Sequence, residues 1–77
     1  AARIDIEAFD RRGLLRDISD LIAAEHISID GMSSHTDPDD RIARFEVRVT
    51  IRDAAELAKL QRKLARIPNV YKVRRAR

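Results

Sequence analysis

The chain has 77 residues and no cysteine, with 16 lysines and arginines against 13 acidic residues and a formal charge of +3. That length holds one domain with a small core, and the missing cysteine excludes disulfide staples, thiolate metal sites and a cysteine nucleophile. At 44% hydrophobic the chain is no disordered type, and with 38% charged residues it shows neither a secretory signal nor a run near the ~20 apolar residues of a membrane span.

Residues 3–9 alternate with period two, Ile4, Ile6 and Ala8 on one face and Arg3, Asp5 and Glu7 on the other, which predicts a half-buried strand. Asp10-Arg11-Arg12-Gly13 breaks the alternation as a short loop. Leu14, Leu15, Ile18, Leu21 and Ile22 then form one apolar stripe, predicting an amphipathic helix from about 13 to 25. Ile27 and Ile29 open a second strand that continues loosely through Met32 to Thr36. Asp37-Pro38-Asp39-Asp40 is the clearest turn. In the third strand Ala43, Phe45, Val47, Val49 and Ile51 face inward, and Arg44, Glu46, Arg48, Thr50 and Arg52 face out. Asp53, with Glu56 after it, caps a second helix as a variant capping box. The stripe of that helix is Leu57, Leu60, Leu64 and Ile67, ended by Pro68-Asn69. Val70 to Arg74 forms the last strand, with Tyr71 and Val73 on one side.

The order is β-α-β, a turn, then β-α-β, two halves alike in architecture but not in residues. Two helices cannot cover both faces of four strands, and a sheet buried on both faces would show continuous apolar runs in place of this alternation. The expected fold is α+β, a ferredoxin-like βαββαβ sandwich with a four-stranded antiparallel sheet and two helices on one face. Residues 1–77 lack an initiator methionine and read as one domain cut from a longer protein.

Such a fold hosts many functions, so function is argued from sites. No serine sits in a nucleophile elbow, and His26 and His35 have no spacing that unites them in a motif, so an enzyme is not indicated. His35, Asp37, Asp39 and Asp40 offer hard-cation donors, but they lack the glycine and terminal glutamate of a calcium loop and read as turn formers. No metal or cofactor ligand set is apparent. RNA-recognition modules of this topology stack bases on aromatics exposed on strands one and three. The outward positions Arg3, Asp5, Glu7, Arg44, Glu46 and Arg48 carry no aromatic, which disfavours stacking.

Two features remain. Gly13 frees the backbone ahead of the first helix, so the amides of Gly13, Leu14 and Leu15 are either anion donors at a helix N-terminus or part of a tight turn capped by Asp10. Residues 1–56 hold 8 basic and 13 acidic groups, a balance of −5, whereas residues 57–77 hold eight cations and no acid, a balance of +8. Those cations are either a surface for an anionic partner or a solvated face that offsets the helix dipole.

The run Asp10 to Ile27, DRRGLLRDISDLIAAEHI, resembles an ACT domain, and more narrowly the C-terminal ACT domain of the RelA/SpoT stringent-response enzymes. Met32-Ser-Ser-His-Thr36 and Pro68-Asn-Val-Tyr-Lys-Val-Arg-Arg75 extend the likeness over essentially the whole chain. The resemblance implies a regulatory module of a cytoplasmic GTP pyrophosphokinase, whose catalytic domains make or hydrolyse (p)ppGpp elsewhere in the parent chain. It implies a homodimer through strand two and helix one that binds an amino acid at the interface. Carried over by position, the ligand residues are Asp10, Arg12, Gly13, Leu14 and Leu15, with Ser28, Ile29 and Asp30 on the strand. Amino-acid-binding relatives often have asparagine near position 28, where this chain has the shorter Ser28. A second implied role is docking to ribosomal RNA through Lys59, Arg62, Lys63, Arg66, Lys72, Arg74 and Arg75. No membrane partner is implied.

Overall fold

The computed structural model describes residues 2–76. Its elements are β1 (Ala2–Phe9), α1 (Leu14–Ala24), β2 (Ser28–Asp37), β3 (Ile42–Thr50), α2 (Ala54–Leu64) and β4 (Val70–Ala76). The four strands form one sheet in the order β2-β3-β1-β4, with every neighbouring pair antiparallel. This is the expected ferredoxin-like arrangement.

The period-two pattern places the core. Ile4, Ile6 and Ala8 of β1 lie opposite Val47, Phe45 and Ala43 of β3, and all six are buried. Leu14, Ile18 and Ile22 of α1 and Leu57, Leu60 and Leu64 of α2 close over them. Both helices therefore cover one face, and the other face is open to solvent. On it Arg3, Asp5 and Glu7 lie opposite Arg48, Glu46 and Arg44.

The helix boundaries follow from caps. Gly13 is the N-cap of α1 in the left-handed region (φ 81°), and no side chain caps the helix, so the alternative in which Asp10 caps this turn does not hold. At the other end His26 takes φ 59°. Its N–H donates to the Ala23 carbonyl (3.0 Å), and the Ile27 N–H reaches back to Ile22 (3.3 Å). That is a Schellman closure with histidine where glycine is usual. It holds Ile27 buried ahead of β2, so the second strand starts at Ser28 and runs to Asp37, later at both ends than the sequence predicts. At the start of α2, Asp53 Oδ1 accepts from the Glu56 N–H (2.8 Å). Glu56 Oε1 in turn accepts from the N–H of Arg52, one residue before the cap (2.9 Å).

One expectation fails. Tyr71 does not share a side with Val73. The β1–β4 register shifts between Glu7 and Ala8, so that Ala8 pairs with Val70 and Glu7 with Lys72. A bulge of this kind re-aims the extra residue. Val70 and Val73 stay against the core, whereas Tyr71 meets Phe9 at a ring-centroid distance of 4.9 Å and Glu7 through its hydroxyl.

Candidate functional site

The loop between β1 and α1 is fixed mainly by Arg11. Its guanidinium donates to the Pro68 carbonyl (3.1 Å), the Arg12 carbonyl (3.2 Å) and Asp17 Oδ2 (2.8 Å), tying the loop to α1 and to the turn before β4. The backbone of the loop is anchored by the Asp10 N–H on the Arg41 carbonyl (2.8 Å). Sequence spacing missed Arg11 because its partner Pro68 lies 57 residues away. Asp10 and Arg12 are exposed, as is Leu15. Leu14 is buried in the core, so only its backbone faces the loop. The Leu14 N–H turns back to the Arg11 carbonyl (3.4 Å), so with no side chain capping α1 it is the Gly13 and Leu15 amides, of the three predicted donors, that keep their capacity for an anion.

Ser28, Ile29 and Asp30 stand elsewhere. Phe9, just before the loop, pairs with Ile42 at the start of β3, and Ser28 and Ile29 pair with Thr50 and Val49 at its end. Seven residues of antiparallel strand separate these rungs, about 24 Å. The sequence-predicted ligand residues thus form two clusters at opposite ends of one sheet. Asp30 sits in a register shift of β2, and its Oδ2 accepts the Thr50 hydroxyl at 2.8 Å.

Near Ser28 a surface cavity is lined by Glu25, His26, Ser28, Thr50, Arg52 and Glu56. Its carboxylates are already engaged. Glu25 accepts from Lys63 Nζ at 2.7 Å, and that hydrogen bond holds its pKa below the ordinary value of 4.5. Glu56 is lowered likewise, chiefly by the Arg52 backbone N–H. In the turn after β2, the Asp37 carboxylate accepts from the N–H groups of Asp39 (2.9 Å) and Asp40 (3.4 Å), which lowers its pKa. Asp37 is thus a turn former. Among the described residues, no group of three or more His, Asp or Glu side chains is placed to hold a metal ion, and no helix is long and apolar enough to cross a membrane.

The basic segment does not form one patch. Lys59, Arg62, Lys63 and Arg66 belong to α2 and the turn after it, on the helix side. Lys72 and Arg74 pair across from Glu7 and Asp5 and lie on the open face, whereas Arg75 pairs with Ile4 on the helix side. Lys59 and Lys63 are spent on Glu25 and Lys72 on Glu7.

Fold, capless loop and open sheet edge together define a small α+β module with no catalytic constellation among its described residues. A model of the ACT domain matches residues 1–75, and the chain belongs to that family. It is 36% identical over 72 residues to the GTP pyrophosphokinase of Haemophilus influenzae, and 32% identical over 72 residues to that of Escherichia coli K12. Each match covers 94% of this chain and 10% of the relative, so the chain spans about a tenth of the length of these relatives. The crystal structure of the ACT domain from the Chlorobium tepidum GTP pyrophosphokinase superposes with a TM-score of 0.85 at 23% identity, covering 97% of this chain and 95% of that one. At that identity the superposition shows the shared fold.

Proposed function

We propose that this ACT domain is the regulatory module of a cytoplasmic GTP pyrophosphokinase, that it pairs with a second copy through β2 and α1, and that it binds an amino acid at the interface. The observation that carries this reading is the placement of the two predicted ligand clusters at opposite ends of the sheet. A twofold axis near the middle of β2 sets two copies of β2 antiparallel and exchanges their ends. The Ser28–Asp30 segment of one copy then lies at the same end as the Asp10–Leu15 loop of the other. In that setting the loop amides meet a ligand carboxylate, and Asp30 meets its ammonium.

The strand itself supports pairing. β2 is a ten-residue edge, exposed or half-exposed throughout, with Ile29 and Met32 partly uncovered and no lysine, arginine or proline. Edges of that kind recruit another strand. The opposite edge, β4, is guarded by Lys72, Arg74 and Arg75, so the self-pairing edge is β2. The test is sedimentation of the 77-residue chain with amide resonances followed during titration with valine, leucine and isoleucine. Dimerisation with shifts at Gly13–Leu15 and Ser28–Asp30 is expected, and Ser34→Lys on the edge abolishes both. A monomer whose amides stay unmoved at millimolar ligand refutes the reading.

A second reading, docking to ribosomal RNA through phosphates, is favoured by four arginines without an ion-pair partner among the described residues. Arg62 and Arg66 lie on the α2 side, and Arg74 and Arg75 on β4. Replacing Arg62 and Arg66 with alanine should weaken rRNA binding and reduce its salt dependence by about one unit of slope per lost phosphate contact.

A further inference from the structure

The two helices lie side by side on the sheet, but charge joins them at one end only. There Glu25, at the end of α1, takes Lys59 (3.9 Å) and Lys63 (2.7 Å) from α2. Toward Pro68 the helices leave a groove of about 370 Å³ between them. Leu21, Ile67 and Pro68 give it apolar surface, and Leu21 and Ile67 rest on the core beneath. Its α1 wall carries two acids, Asp17 and Asp20, and its α2 side two cations, Lys63 and Arg66.

Each wall has one charge to spare. Asp17 is held by Arg11 (2.8 Å) and Lys63 by Glu25 (2.7 Å). Asp20 and Arg66 are exposed, and neither has an ion-pair or side-chain hydrogen-bond partner among the described residues, although both border the same groove. A row of acids and a row of cations on either side of an apolar strip is self-complementary under one symmetry operation. A twofold axis along the groove sets α1 of each copy over α2 of the other, so that acids meet cations twice and the apolar strips meet between them. An axis across the groove would set acid on acid and cation on cation, which opposes association.

We propose that the groove between α1 and α2 is a self-association surface, in which a second copy of this chain docks with Asp20 of each copy against Arg66 of the other and with Leu21, Ile67 and Pro68 packed between. The surface lies on the helix side, between the helices and not on the β2 edge, so it goes beyond the strand pairing proposed above and does not depend on it.

Solvent-exposed ion pairs contribute little each, so this association is sought at millimolar chain, by amide resonances. The 77-residue chain carrying Ser34→Lys, which removes strand pairing, is diluted from millimolar to micromolar concentration. Resonances of Asp20, Leu21, Arg66 and Ile67 should move on dilution while those of β2 stay fixed. Asp20→Arg and Arg66→Asp, each added to that chain, should lose the response. By symmetry one reversal turns two attractions into two repulsions, which weakens association about tenfold or more. Neither side chain has a partner to lose within its own chain, so both variants should keep the fold. Mixed one to one, the two variants should regain the response, because one then presents only cations where the other presents only acids. The proposal is overturned if the groove resonances of the Ser34→Lys chain ignore dilution, if either reversal variant self-associates as strongly as its parent, or if the mixture responds no more than its components. Strand pairing is judged separately, on the β2 resonances of the chain without Ser34→Lys. No nucleic acid is present, so the place of Arg66 in the phosphate-docking reading has no bearing on the result.

Discussion

Replacing Gly13 tests the loop on which the proposed amino-acid site depends. Its φ of 81° lies in the left-handed region, where an L side chain costs ~1–2 kcal/mol. Steric conflict adds nothing for alanine, because a Cβ at Gly13 would meet only the Arg16 guanidinium at 3.5 Å, an ordinary contact. Alanine also lowers the entropy of the unfolded chain, which returns ~0.4–1 kcal/mol. The net loss for Gly13→Ala is therefore about 1 kcal/mol, or ~4–8 °C in Tm for a domain of this size. Gly13→Val should lose more, because a branched side chain tolerates this region worst. D-alanine at the same position, introduced by chemical synthesis, keeps the entropic gain and avoids the penalty, so it should raise Tm. Thermal melts of the three chains by circular dichroism give the answer. Equal melting for L- and D-alanine would falsify the reasoning, since only backbone handedness distinguishes them.

Three further outcomes follow from the caps and ion pairs. His26→Gly removes a left-handed L residue from the end of α1 and should stabilise the chain by ~0.5–1 kcal/mol in urea denaturation; a loss would mean that the imidazole makes a contact worth more than the strain. Asp53→Ala deletes the 2.8 Å cap on Glu56 N–H and should cost ~1 kcal/mol, with Asp53→Asn close to wild type. The Lys63 hydrogen bond lowers the Glu25 pKa from 4.5, so its stabilisation is complete above that value and fades as pH falls through the lowered folded pKa. Urea midpoints of Lys63→Met should thus lie below wild type at neutral pH and converge with it in acid, and a gap constant from pH 7 to pH 2 contradicts the linkage.

The fold was legible because its signals are local and periodic. Alternation in β1 and β3, the Leu57–Leu60–Leu64 stripe and the Asp53–Glu56 cap each depend on residues within one element. The helix limits were blurred by caps, since Gly13 and Glu25 carry helical pattern without helical backbone. No local signal marks a bulge, so Tyr71 was placed on the wrong side of β4. The site was less legible. Arg11 was beyond reach, because its role is set by a carbonyl 57 residues away. Spacing likewise gave no hint that the Gly13 loop and Ser28 lie at opposite ends of the sheet, since register and not sequence distance sets that separation.

The charge split along the chain also changes meaning once folded. In sequence, a segment of −5 precedes one of +8, which reads as an acidic body and a basic end. In space the two halves interleave, because the βαββαβ topology sets α2 beside α1 and β4 beside β1. Glu25 at the end of α1 takes Lys59 and Lys63 from α2, and Glu7 of β1 takes Lys72 from β4. Three of the late cations thus neutralise early acids at 2.7–3.9 Å. Exposed pairs of this kind contribute little stability each, and their larger consequence is for recognition. They cancel the charge where the halves meet and leave Arg62, Arg66, Arg74 and Arg75 as the uncommitted cations of the segment among the described residues. A partner that reads the positive charge of this domain therefore meets arginines, whose planar guanidinium binds phosphate in two-pronged fashion, on both faces of the sheet and not on one basic tail.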